Sequence, residues 1–269
     1  MSPEQQKQKF EDEGYLIVEA VMSEAELASC EAEIHRLHEV TVQLEATQDP
    51  ALKHFQREPY AKDKQENGLP VLRKIEQTRD FSQVFRKLAA HPKLTSVVQN
   101  LIGEDLLLFR STLMLKPAFH GSAHAFHQDS AYWPMDPPSL VTVSMALTES
   151  TSENGCIQVI PGSHKWGMQE WGSIAQNTDT AQANRDDIDT SGAIEAPLKA
   201  GSVVLFHSLM VHGSGPNKSA RARHTALYAY FPPTVRLVSR GSQSTSRSFP
   251  VISGLGGVET LEMASVVLV

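Results

Sequence analysis

Val141-Thr142-Val143-Ser144-Met145-Ala146-Leu147 reads as a strand with two unequal faces. Large apolar side chains at 141, 143, 145 and 147 alternate with small or hydroxyl-bearing ones, and a period of two puts the two sets on opposite sides of a sheet. Working outward, residues 157–160 form a short strand between two turn dipeptides, Asn154-Gly155 and Pro161-Gly162. Residues 106–115 are apolar and stop at Pro117, and residues 203–207 and 225–231 read as further strands. The pattern predicts no helix between them. Short strands punctuated by Gly and Pro favour an antiparallel barrel or jelly roll over a parallel α/β sheet. The long polar connection 165–192 is expected to be a lid that orders over substrate.

Upstream the texture is helical. Ser23 with Glu26 is a capping-box signature, followed by Leu27, Cys30, Ile34, Leu37 and Leu44 on one helical face. A polar stretch between Pro50 and Pro70 interrupts it. A second helical region covers residues 81–102, with Pro92 opening a fresh helix and Gly103 ending it. The expectation is one domain over 1–269, mainly β with N-terminal helices. It has a helical support region at 1–103, a jelly-roll core at 104–235 and a C-terminal segment at 236–269.

The 269 residues include 24 Lys or Arg, 31 Asp or Glu, 11 His and 2 Cys, for a net charge of −7. Two cysteines, Cys30 and Cys156, suit neither a disulfide framework nor a four-cysteine zinc site, which points to a reducing, cytoplasmic setting. A mildly acidic chain without a basic block is a poor match for nucleic acid or an anionic membrane. No apolar run reaches the roughly 20 residues that span a bilayer. The partner expected is a small molecule, and the oligomeric state is not legible.

Between Lys116 and Lys165 there is no Lys or Arg, yet His120, His124, His127 and His164 all fall there. In His127-Gln128-Asp129, positions i and i+2 of a strand would set an imidazole beside a carboxylate. With one distant histidine these make the two-histidine, one-carboxylate facial set of non-heme Fe(II) oxygenases, which leaves open positions for co-substrate and dioxygen. His207 and His212 are candidates for the third ligand, and small turn-forming residues after His212 leave room there. A competing reading takes His120, His124 and His127 as one helical face binding zinc, as in a hydrolase or isomerase on a cupin-like barrel. Gly121, Ser122 and Pro117 argue against that helix. A non-catalytic binding module of the same fold is the third reading. Arg221 and Arg223 are both placed to grip a dicarboxylate with a bidentate fork.

Several strings occur in order: His127-Gln128-Asp129, Glu153-Asn154-Gly155-Cys156-Ile157, Ile160-Pro161-Gly162-Ser163-His164-Lys165, Gly201-Ser202-Val203 and His212-Gly213-Ser214-Gly215-Pro216-Asn217. Together they resemble the phytanoyl-CoA dioxygenase family of Fe(II)- and 2-oxoglutarate-dependent oxygenases on a double-stranded β-helix. The resemblance runs from about Lys74 to Pro232. It implies His127, Asp129 and His212 as iron ligands and selects Arg223 over Arg221 for the C5 carboxylate of 2-oxoglutarate. It adds Ser214 and Lys74 as further co-substrate contacts. The reaction implied is hydroxylation or another oxidation of an unactivated C–H, using dioxygen and releasing succinate and CO2. Because Asp129 is present, halogenation is disfavoured. Tyr132, Trp133, Trp166 and Trp171 are aromatic candidates for shaping a substrate pocket.

Overall fold

A computed structural model describes residues 1–171, 188–239 and 241–267. The helical expectations hold at their signatures. Ser23 caps Glu24–Thr47 through a reciprocal capping box, and the helix buries Cys30, Ile34 and Leu37. Pro92–Ile102 starts at its proline, and the Gly103 N–H bonds back to the Gln99 carbonyl. The first hundred residues are not purely helical, however. Tyr15–Val18 and Leu72–Glu76 are strands of the main sheet. Their patterns, four and five residues long, are too short to register a period of two.

Among the described residues, nine strands form one sheet. Its spine runs Tyr15–Val18, Val203–His207, Val141–Ala146, Arg223–Phe231, Leu106–Lys116, Ser246–Ser253 and Thr260–Ala264. Leu72–Glu76 pairs against Leu106–Lys116, with Phe55–Arg57 outside it. A second sheet holds four short strands in the order Ile194–Ala196, Ile157–Val159, His212–Ser214 and His124–His127. All of these pairings are antiparallel. The two sheets are the jelly-roll layers that the strand reading anticipates.

The unequal faces of 141–147 are realised. Val141, Val143 and Met145 join a buried cluster with Leu37, Phe85 and Leu94 from the helices. Thr142 and Ser144 face the cavity between the sheets. On the neighbouring strand Tyr228 and Tyr230 belong to the helix-side cluster, their hydroxyls donating to the Phe85 and Ala89 carbonyls at 3.0 and 2.7 Å. Each buried phenol thus has a partner, which keeps these tyrosines affordable in an apolar layer. Near the end of the described residues, Val266 pairs parallel with Val238. Of the segment expected to be a lid, residues 172–187 lie outside the described residues.

Candidate active site

The small sheet brings the expected ligand set together. His127 ends one strand, His212 opens its antiparallel neighbour, and the two are register partners. Asp129 is not on a strand, as the i, i+2 argument supposed. It starts a short 3-10 turn, Asp129–Ala131, so the chain bends and swings the carboxylate back toward His127. The His127 Nε2 to Asp129 Oδ1 distance is 3.7 Å. One ligand atom from each of His127, Asp129 and His212 lies within 4.8 Å of the others, and all three residues are buried. Among the described residues this is the group of His, Cys, Asp or Glu side chains able to hold an ion.

Hydrogen bonding fixes what each ligand can offer. The Nδ1 of His127 bonds the Ala125 carbonyl at 2.8 Å, and that of His212 bonds the Met210 carbonyl at 3.0 Å. A carbonyl only accepts, so each Nδ1 carries the proton and each Nε2 presents a lone pair to the shared gap. The Thr142 hydroxyl donates to Asp129 Oδ2 at 2.7 Å, orienting the carboxylate with Oδ1 toward His127. Burial pushes the His212 imidazole down to about 4, with His127 acting the same way and Asp129 opposing. Burial alone would raise the Asp129 carboxyl, but His127, His212 and the Thr142 hydroxyl outweigh it and hold it well below the usual carboxylate range. A neutral His212 beside an ionised Asp129 is the pairing of protonation states that a divalent cation requires.

The zinc reading of His120, His124 and His127 is not realised. His124 and His127 sit on a strand, and His124 Nδ1 accepts from Arg73 Nη2 at 3.0 Å, so its lone pair is spent. Burial, then His127 and Arg73, hold its pKa well below the ordinary histidine value. His120 is half-buried beside Lys64 Nζ at 3.1 Å. His207, the other candidate third ligand, lies apart against Phe10 and His164.

The cavity beside the ligand set has a volume of about 320 Å³. Arg223, Ser214, Lys74, Tyr132 and Trp133 all line it. Arg223 is buried, donates through Nη1 to the Gly155 carbonyl, and keeps its buried Nε without a hydrogen-bond partner. Arg221 instead is exposed and pairs with Glu149 at 3.2 Å. Lys74 pairs with Glu76 at 2.5 Å. Trp166 is 45% exposed and does not line the cavity, whereas Trp171 donates to Gln128 Oε1 at 3.1 Å.

Four features were not legible in the sequence. Thr142 read only as the small face of a strand. Gln128 read only as a spacer, yet its buried amide donates to the Gly167 and Leu209 carbonyls and accepts from Gln169 and Trp171. Lys116 is the register partner of Arg223 and is buried with its Nζ on the Gly215 carbonyl. Arg73 and Arg110 add two cations to the cavity wall. The available signal for Thr142, Lys116 and Arg110 was alternation along their strands, which assigns a face but no role.

The residues suit both groups that such a site takes. Two imidazole lone pairs and one carboxylate fit Fe(II), and a buried guanidinium on the cavity wall with one N–H unpartnered fits a carboxylate of 2-oxoglutarate. A jelly roll with this donor set belongs to the class of non-heme Fe(II), 2-oxoglutarate-dependent oxygenases. The family model described as "Phytanoyl-CoA dioxygenase (PhyH)" matches residues 10–225, and the chain belongs to that family. It is 25% identical over 281 residues to ectoine dioxygenase of Bordetella bronchiseptica, covering 96% of this chain and 87% of that protein. It is 29% identical over 193 residues to L-proline trans-4-hydroxylase of Streptomyces griseoviridis, covering 61% and 69%. Among solved structures it is similar to the epimerase SnoN in complex with Fe3+, α-ketoglutarate and a nogalamycin compound. The TM-score there is 0.67 at 23% identity, over 89% of this chain and 87% of that one. Among the described residues no helix is long and apolar enough to cross a membrane.

Proposed function

We propose that this dioxygenase hydroxylates an unactivated C–H of a small molecule, with His127, Asp129 and His212 holding Fe(II) and Arg223 holding the far carboxylate of 2-oxoglutarate. The observation that carries the reading is the pair of Nε2 lone pairs converging with the Asp129 carboxylate on one wall of the cavity. Bound iron supplies dioxygen activation, with one oxygen atom going to the substrate C–H and the other to succinate as CO2 leaves.

The protein's own part is geometric and electrostatic. Backbone carbonyls of Ala125 and Met210 lock the imidazole tautomers, and Thr142 fixes the carboxylate. Arg223 neutralises a carboxylate in a buried setting where the charge would otherwise be costly. Ser214, buried on the same strand as His212, offers a hydroxyl nearby, and Lys74 lines the same wall although Glu76 already neutralises it. Phe206 packs on the His212 ring at 4.5 Å and keeps water from that side. The named activities of the two relatives, on ectoine and on L-proline, support a compact substrate for this chain. Acting on such a metabolite in the cytoplasm is part of the same reading.

The test is anaerobic addition of Fe(II) and 2-oxoglutarate to the purified protein. A visible charge-transfer band that requires both is expected, together with succinate release in air on supplying substrate. A protein that binds divalent metal but develops no band with 2-oxoglutarate would overturn the proposal.

A further inference from the structure

In a chain of net charge −7 the cavity wall is cationic: Arg73, Lys74, Arg110 and Arg223 line it against the single carboxylate of Asp129. Three of the four cations have an assigned counterpart. Arg73 donates to the His124 ring, Lys74 pairs with Glu76, and Arg223 is the co-substrate arginine of the reading above. Arg110 is different. Its Nη2 lies 3.4 Å from Glu76 Oε1, the same oxygen that Lys74 holds at 2.5 Å. One carboxylate thus faces two cations, and the nearer one takes most of it. Arg110 Nε donates to the Thr112 hydroxyl at 3.0 Å, which positions the guanidinium without neutralising it.

Sheet register says where this charge lies. Arg110 pairs with Ala229, and Ala229 pairs with Thr142, the residue that orients Asp129. Arg223 pairs with Lys116, six residues further along the same strand. At about 3.3 Å per residue the two arginines are rooted roughly 20 Å apart. They occupy opposite ends of one cavity, and the row of Thr142 belongs to the Arg110 end. The strand is bulged at this point. Leu108 and Arg110 pair with the consecutive residues Tyr230 and Ala229, so Phe109 is an inserted residue. Such bulges re-aim side chains beside active sites. Here Phe109 packs on Trp133 with ring centroids 4.9 Å apart, and Arg110 lines the cavity together with Tyr132 and Trp133.

We infer, building on the oxygenase reading, that the substrate is a monocarboxylate whose head Arg110 binds at the end of the cavity opposite Arg223. Its hydrocarbon body lies against Tyr132 and Trp133, beside the ligand set. 2-Oxoglutarate has no carboxylate left for Arg110, since one goes to Arg223 and the other to the metal. Lys74 and Arg110 sharing one carboxylate leave a single net positive charge at that end, which matches a monoanion better than a phosphate dianion.

The inference is tested on the anaerobic Fe(II)-loaded enzyme saturated with 2-oxoglutarate, by calorimetry with butyrate and phenylacetate against butyramide and phenylacetamide. The acids are expected to bind at least tenfold more tightly than the amides. Arg110→Gln should lose that preference, and Arg110→Lys should keep part of it, with the visible band intact in both. Equal binding of acids and amides, no binding of the acids, or unchanged acid binding by Arg110→Gln would each overturn the inference. If Arg110→Gln does not fold, the acid-over-amide preference of the unaltered enzyme and of Arg110→Lys decides. A wild-type enzyme without the visible band fails at the oxygenase reading itself, which separates the two failures.

Discussion

The two sheets divide the labour of the site. The small sheet and the turn that follows it carry His127, Asp129 and His212 on strands of three and four residues. The large sheet carries Arg223, Arg110 and Thr142 on strands of nine, eleven and six. Metal binding needs three atoms converging at a point, and short strands joined by turns can bend to deliver it. Spacing two cations across a long cavity needs a rigid ruler, and long paired strands provide that. Substitutions in the two sheets should therefore fail in different ways.

The largest effect is expected at Asp129. Asp129→Ala removes the one anionic ligand of the small sheet, so iron binding and succinate release should fall below detection while the far-ultraviolet circular dichroism stays unchanged. Retained turnover would sink the ligand assignment. Arg223→Gln is the large-sheet counterpart. It should raise KM for 2-oxoglutarate roughly 10- to 100-fold, the weight of a charge-assisted bidentate contact, with iron affinity preserved. A parallel loss of iron in this variant would break the division of labour. Thr142 bridges the two sheets, since it stands on the large one and orients a ligand of the small one. Thr142→Val keeps the shape and deletes the hydroxyl, and about a tenfold loss of iron affinity is expected with KM for 2-oxoglutarate little changed. Metal titration monitored by the visible band measures both.

The same contrast explains what was legible in the sequence. The central strands of the large sheet were readable because they are long enough to show a period, whereas its short strands Tyr15–Val18 and Leu72–Glu76 were not. Val141, Val143 and Met145 turn toward the helices while Thr142 and Ser144 turn toward the cavity. The ligands of the small sheet were legible through motif and resemblance, not through period, and the one geometric argument offered for Asp129 assumed a strand where the chain forms a 3-10 turn. Arg110 stayed hidden because alternation with Met114 gives it a face but no role, and the bulge at Phe109 breaks the phase on its other side. Gln128 stayed hidden because its four partners come from 165–171 and from Leu209, far away in sequence.

A smaller effect separates the sheets by their histidines. Burial, assisted by His164, pushes His207 on the large sheet down to about 4, and its Nδ1 already accepts from the Leu209 N–H at 3.0 Å. Unfolded histidine takes a proton near pH 6.5, so between 6.5 and 4 the unfolded chain binds a proton that the folded chain refuses. Stability is then full above about pH 6.5 and falls on acidification by on the order of 1 kcal/mol per pH unit for such a group. His212 follows the same direction in the iron-free protein, but of these two histidines only His212 is a proposed iron ligand, where a proton would compete with the metal. Urea midpoints between pH 7 and 4.5 should therefore decline with and without iron, and His207→Gln should make both slopes shallower. The stabilisation gained by adding iron should itself shrink as pH falls, and His207→Gln should leave that difference unchanged. If the substitution alters the iron-dependent part, the large sheet takes part in holding the metal beyond Thr142, and the separation between the two sheets is weaker than their geometry implies.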